Sequence, residues 1–461
     1  MKFPIAPLVC LLAVSISQAA PVKTTAALLK AVAEAQPGAV IEIAQGKFEL
    51  SAPLEVKAGL TLKGAGAGKT IITHTADWKA NPETLPDPET DFRKFDKSGY
   101  LMVLEEKASG ITISDMTLTG PGMHGGIFGS WENSKLHLHN LRFEDFMFAG
   151  FRSYTTSGAK IHDCVFVDAG QRWENGKPGV KGGITGGGIF VVWIKDSEIY
   201  NNRFLRTKTE PNLEFYGIKG RQGKGVRIHH NTIETNFSIE FAHENDEDVE
   251  IDHNILLGCV SIPKGGGGSV PESGKSFHIH HNYFTTSYAI EFPRNGAEID
   301  HNLFDFDGKD DGGNLISGFG GNASPGPASF HNNLVSNPGR GVVWIERGFN
   351  GMEIRNNHII ARTTPTPRTE GLFGFDGKSD FSTHMFRDNI IECIGQSRPL
   401  FRNDASGKAK IANNLLTNVS DTARYGNPVE GRKPGLEEPL KFRCGVDGEM
   451  EVDGWKTRKA K

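Results

Sequence analysis

One phrase recurs along the chain: an apolar residue, two positions, Asn or Asp, one position, then a second apolar residue. Clear copies are Ile228-His229-His230-Asn231-Thr232-Ile233, Ile251-Asp252-His253-Asn254-Ile255-Leu256, Ile279-His280-His281-Asn282-Tyr283-Phe284 and Ile299-Asp300-His301-Asn302-Leu303-Phe304. Aligning the polar position gives Asp115, Asn140, Asp163, Asn202, Asn231, Asn254, Asn282, Asn302, Asn333, Asn357, Asn389 and Asn414, with a shortest unit of about twenty to twenty-five residues. Such a unit alternates apolar and polar positions, is rich in β-branched and aromatic residues, and has Gly, Asn or Asp at its corners. That pattern predicts a coil of short strands joined by bends, not a helical repeat. Asn suits the corner because it tolerates the left-handed conformation and its amide can bond to identical amides above and below. One coil cannot bury its own apolar face, so twelve or more coils must stack around a shared core of Ile, Val, Leu and Phe, making a parallel sheet.

These Asn-bearing coils resemble the right-handed parallel β-helix proteins of the pectate-lyase-like superfamily, over roughly residues 38–442. The opening is similar too. An amphipathic segment at residues 26–35 is expected to cap the first coil, followed by Gly38-Ala39-Val40-Ile41-Glu42-Ile43 and Leu60-Thr61-Leu62-Lys63-Gly64. The resemblance implies an all-β, single-stranded solenoid with an N-terminal capping helix. Because that superfamily hosts lyases, hydrolases, epimerases, esterases and adhesins, function must be argued from the site.

Composition narrows the partners. Gly at 56 of 461 residues marks a turn-rich chain, while 37% hydrophobic residues exclude a disordered one. A formal net charge of −4 lacks the basic excess of a general nucleic-acid binder. The first twenty residues combine Lys2, an apolar run from Ile5 to Ile16 and a small-x-small ending at Ser17-Gln18-Ala19, which reads as a Sec signal peptide. Residues 21–461 would then form one secreted or periplasmic β-helix domain, expected to be monomeric and without a membrane span. Of the cysteines that follow, Cys164, Cys259 and Cys393 fall on coils three and five apart, or roughly 14 and 24 Å at ~4.8 Å per coil, too far for disulfides. They are expected to be free core thiols, and Cys444 is left without a role.

Departures from the minimal coil predict projecting loops at residues 73–99, 170–188, 265–274, 308–326 and 363–371. A second column is expected about nine residues after the ladder position: Ser238-Ile239-Glu240, Ser261-Ile262-Pro263-Lys264, Ala289-Ile290-Glu291 and Trp344-Ile345-Glu346-Arg347. With Ile facing the core, its neighbour faces outward. Glu240 and Glu291 would then share one outer face two coils apart, about 9.6 Å. Lys264 is expected between them, with His243, Glu244, Asp246 and Arg294 on adjoining bends and Lys219 and Arg221 one coil earlier.

A carboxylate pair at that separation suits an inverting glycosidase. The same face also offers Lys and Arg for a uronate and acids for Ca²⁺, as a polysaccharide lyase requires. Glu240, Lys264 and Glu291 are thus the candidate catalytic residues. Lys219, Arg221, His243, Arg294, Trp344, Glu346 and Arg347 are candidate substrate contacts. No metal is assigned, although Ca²⁺ at Glu244 and Asp246 is compatible with the residue types. The expected function is a secreted enzyme that cleaves a polysaccharide by hydrolysis or β-elimination. The alternative is a carbohydrate-binding or surface-structural solenoid, in which the charged column is ordinary solvated surface. Six His aligned at one residue before the ladder (His139, His162, His230, His253, His281 and His301) read as a stacked row beside the turn. Gly182 to Gly188 and Gly265 to Gly268 lack the residues and helix of a phosphate loop.

Overall fold

The computed structural model describes residues 20–80, 97–173, 184–210, 213–242, 246–262, 275–291, 296–306, 313–318, 327–346, 349–362, 370–376, 379–402, 408–420 and 433–454. The expected signal peptide lies outside them. Among the described residues no helix is long and apolar enough to cross a membrane.

A helix at Thr25–Glu34 opens the fold, capped by Thr24, whose hydroxyl accepts the Ala27 N–H at 3.2 Å. Its Leu28 and Val32, one turn apart on the same face, are buried and close the open end of the core. Each coil then contributes a strand to three successive parallel sheets. In a central coil these are Phe237–Phe241, Glu247–Asp252 and Ile255–Leu256. In the first sheet Met102, Ile127, Phe151, Ile189, Ile218, Ile239, Val260, Ile290, Ile316, Val343 and Phe373 stack in register, all buried. Burying such a row only against identical neighbours is what makes a parallel solenoid stable. The chain is a right-handed parallel β-helix, the hand expected of parallel crossovers.

The ladder is built as the repeat predicts. Asn202, Asn231, Asn254, Asn282, Asn302, Asn333, Asn357, Asn389 and Asn414 are buried, and each Oδ1 from Asn231 onward accepts both the backbone N–H and the Nδ2–H of the preceding Asn. Two expectations shift by one residue. The left-handed backbone belongs to the position before each ladder Asn, as at His230, His253, His281 and His301, with φ between 50° and 54°. Asp115, Asn140 and Asp163 occupy that position as well, so they are not rungs. Cys164, whose N–H donates to Asn202 Oδ1 at 3.0 Å, stands where the next rung would be. Consequently His139 and His162 lie in the strand column that continues through Tyr200 and His229. His230, His253, His281 and His301 form one imidazole stack, with ring centroids 5.0–5.2 Å apart and planes within 5°, while His139 and His162 stack on each other in the neighbouring column at 5.3 Å.

Cys164, Cys259, Cys393 and Cys444 are free and buried. Burial pushes the Cys164 and Cys444 thiols up to about 12, so neither is a ready nucleophile. The expected loop at 308–326 contains a regular first-sheet strand, Asn314–Gly318. The one at 170–188 begins and ends in an antiparallel pair, Gln171–Trp173 with Ile184–Thr185, and the former also pairs with residues 213–215.

The C-terminal segment doubles back along the third sheet. Strands Lys441–Cys444 and Met450–Asp453 pair antiparallel, and Leu440, Phe442, Cys444 and Val452 pack on Tyr283, Leu303 and Leu334. Along its course Gly435 N–H donates to Asp388 O, Glu437 N–H to Asn332 Oδ1, Gly445 N–H to His253 O, and Glu449 accepts from Thr232. One short segment therefore touches coils that are far apart in the stack.

Candidate functional site

The outward column of the first sheet changes character along its length. After an exposed Glu55 it runs through Val103, Phe128, Arg152 and Phe190, all buried. The Arg152 guanidinium lies 5.0 Å from the Phe148 ring and 5.8 Å from those of Phe128 and Phe190, a cation sandwiched by aromatics under a separate apolar cluster. From there the column reads Lys219, Glu240, Ser261, Glu291, Ser317, Trp344 and Gly374 in strict register.

Glu240 and Glu291 thus share one face, as the alternation predicts, but the residue between them is Ser261. Val260, not Ile262, stands opposite Ile239 and Ile290, and Val343, not Ile345, carries the row onward. Lys264, three residues after Ser261 in sequence, lies outside the described residues, as do His243, Glu244, Arg294 and Arg347. The expected place of Glu346 in the column is taken by Trp344.

The cation beside the glutamates is Lys219. Its Nζ is 2.7 Å from Glu240 Oε1 and 4.5 Å from the centre of the Tyr216 ring. Arg221 follows two residues later on the same strand and is half-buried. Glu291 is held differently: Oε2 accepts the Ser261 hydroxyl at 2.5 Å and Oε1 the Tyr288 hydroxyl at 2.7 Å. Burial and the neighbouring Glu291 push the Tyr288 hydroxyl well up, so it stays protonated and donates. The buried Cys259 thiol is likewise raised, by burial first and then by Glu291 and Glu240.

At the far end Trp344 Nε1 donates to Glu346 at 3.3 Å, and the Arg402 guanidinium sits 4.7 Å from the indole centre while also reaching Asn314 Oδ1 and Gly371 O. Gly374 makes this possible, because a Cβ there would lie 2.3 Å from the indole. Asp246, whose residue type is compatible with Ca²⁺, is buried and accepts the Gly223 N–H at 2.6 Å. Ser261, Tyr288 and Arg402 were not singled out by sequence. Tyr288, three residues before Glu291, carried only a weak signal, and Arg402 none.

The column can therefore place two carboxylates two coils apart, about 9.6 Å along the stack, between a buried Lys at one end and an Arg-backed indole at the other. That is a row of carboxylate, cationic and aromatic groups along one face.

No family model matches the chain, and no curated protein does. Among solved structures it is similar to a PL6-family alginate lyase, AlyGC (14% identity, TM-score 0.48, covering 95% of this chain and 55% of that one). It is also similar to a family 28 exopolygalacturonase of Yersinia enterocolitica (12%, 0.42, 88% and 76%) and to the surface protein and adhesin PfbA of Streptococcus pneumoniae (12%, 0.41, 87% and 94%). At these identities and scores they assign neither substrate nor residues, and the architecture stands on the chain's own strand pairing: a right-handed parallel β-helix.

Proposed function

We propose that the outer face of the first sheet binds a polysaccharide outside the cytoplasm and cleaves its glycosidic bonds, with Glu240 and Glu291 as the acid–base carboxylates. The observation that carries this reading is their place in one outward column, one coil on either side of Ser261. Two strand spacings put their backbones about 9.6 Å apart, close to the ~6.5–9.5 Å at which a water fits between an acid and a base. Arg221, two residues along the same strand from Lys219, is the cation that faces an anionic sugar next to Glu240, and Trp344 with Arg402 offers a stacking surface at the other end. Lys219, engaged by Glu240, serves as the charge partner rather than as the base. A panel of neutral and uronate polysaccharides tests the proposal, reading both new reducing ends and the ultraviolet absorbance of unsaturated products. Reducing ends without absorbance assign hydrolysis, both together assign β-elimination, and neither on any member of the panel removes the cleavage reading.

One observation favours a second reading, a carbohydrate-binding solenoid without turnover. Glu240 and Glu291 already have partners in Lys219, Ser261 and Tyr288, so the column is internally satisfied. Saturable glycan binding without products in the same panel supports it.

A further inference from the structure

The second sheet carries its own pair of outward columns, facing away from the glutamate row. In register one reads Glu250, His278, Glu298 and the other Asp252, His280, Asp300, His331. Successive coils thus present two carboxylates, two imidazoles and two carboxylates. Ligand atoms of His278, Glu298 and Asp300 all lie within 4.8 Å of one another, and His278 Nε2 is 2.7 Å from Asp300 Oδ2.

A second trio, Glu250, Asp252 and His280, is as compact, but Arg227 occupies it. Its guanidinium reaches both Asp252 oxygens at 2.9 and 2.7 Å and Glu250 at 3.5 Å, a fixed positive charge that no ion displaces cheaply. Among the described residues no guanidinium enters the first trio. Instead His301 Nδ1 holds the other Asp300 oxygen at 2.5 Å and His331 Nε2 holds Glu298 at 2.9 Å, outer imidazoles that orient carboxylates as an outer shell orients metal ligands. Among the described residues the other charged or titratable neighbours are Asp248, Glu250 and Lys275, which line a recess with Ser276 and Gly296, and His280, whose ring centre is 4.0 Å from that of His278. The Asp300 side chain is 7% exposed, against 44% for His278 and 49% for Glu298. An ion here is gripped from the core side and open to water on the other.

We propose that His278, Glu298 and Asp300 form a binding site for a divalent transition metal of the Zn²⁺ class, with three protein ligands and solvent in the remaining position. One imidazole and two carboxylates are donors that favour Zn²⁺, Ni²⁺ or Cu²⁺ over Ca²⁺ or Mg²⁺. The ion replaces the proton shared by His278 Nε2 and Asp300 Oδ2, which leaves to solvent. Ligands at ~2.0–2.1 Å around a tetrahedral ion stand roughly 3.3 Å apart, so this pair opens by about half an ångström, within reach of small side-chain rotations. Burial opposes charge on His278, but the Asp300 hydrogen bond and the carboxylates of Asp300, Glu298 and Glu250 outweigh it and raise its pKa.

Equilibrium dialysis of the full chain against Zn²⁺, with Ca²⁺ as control, tests the site. Co²⁺ as a second probe reports coordination by its visible absorption. The expected result is one equivalent of Zn²⁺ per chain and none of Ca²⁺, with binding at least roughly tenfold weaker in His278→Ala and in Glu298→Gln. His137→Ala, on a different histidine cluster of the same sheet, leaves binding unchanged. Glu298 is half exposed, so its variant reports on binding even where the His278 variant folds poorly. Absence of stoichiometric Zn²⁺ in the wild-type protein overturns the proposal, as does full retention by Glu298→Gln or loss in His137→Ala.

Discussion

Lys219 and Glu240 face each other across neighbouring coils, Nζ 2.7 Å from Oε1, with solvent reaching only 4% and 14% of their side chains. Removing one partner leaves an uncompensated buried charge, a loss of about 3–5 kcal/mol, whereas replacing both by neutral groups of similar shape is close to neutral. Urea unfolding of Lys219→Met, Glu240→Gln and the double variant should therefore show two destabilised single variants and a double variant near wild type. Equal, additive losses would mean the two residues do not act as a pair.

Glu291→Gln is the cleaner probe of chemistry. The amide still accepts from one hydroxyl and donates to the other, so Ser261 and Tyr288 remain satisfied and the melting temperature should hold. Turnover on whichever polysaccharide is cleaved should fall by about 10²-fold or more. Wild-type turnover by this variant would reassign the acid–base residues.

The registers explain which parts of this site could be read from sequence. Periodicity identifies the face, since a slip of one residue would turn every side chain over. A slip of two keeps the face, and Ile262 and Ile345 are as buried as Val260 and Val343, so alternation could not show that Ser261 and Trp344 are the true column members. The bulge between Phe237 and Ile239 makes the arm lengths unequal and conceals the shift. The ladder was readable because each Asn carries several hydrogen bonds that no other side chain supplies. Arg402 was not, because it reaches the indole from two coils further on, over Gly374, 58 residues away in sequence.

Asn282→Ala tests that ladder. The side chain donates to Ile251 O, His280 O and Asn302 Oδ1 and accepts from Asn254, all in the core. With about 1–3 kcal/mol for each buried group left unmet, a loss above about 3 kcal/mol is expected in urea unfolding. The same change at Asn414, the last rung among the described residues, should cost less. Equal losses would argue against additive rungs.

Acid sensitivity should come from imidazoles kept neutral. Burial pulls His384 down to about 4, with the Met352 N–H donating to its Nδ1 at 3.1 Å and the Phe375 ring centre at 4.1 Å. His229 and His281 are lowered to about 4, again chiefly by burial. In each case the unfolded chain takes up the proton first as pH falls, so stability is full above about 6.5 and declines from there to about 4. Asp252 and Asp300, held below their ordinary range by hydrogen bonds that outweigh burial, lose their contribution only at lower pH. His278 and His301 shift upward and lose theirs above about pH 6.5. Melting curves should fall between neutral and mildly acidic pH, and His384→Gln should flatten that fall. An unchanged slope would remove His384 from the account.

Trp344→Ala removes the stacking surface while leaving both glutamates in place. Weaker glycan binding or a higher KM is expected, with kcat little changed, because stacking holds ground and transition states alike. A fall in kcat alone would place the indole at the reacting sugar instead.

The returning C-terminal segment also alters how such a chain comes apart. An array in which each unit touches only its neighbours can unravel from either end, one unit at a time. Here contacts from Thr232 to Asp388 are gathered by residues 435–449, so the intervening coils cannot peel away singly without first releasing that tie. A one-dimensional stack thereby acquires a lock against stepwise fraying, and its central coils, those that carry Glu240 and Glu291, should open together or not at all.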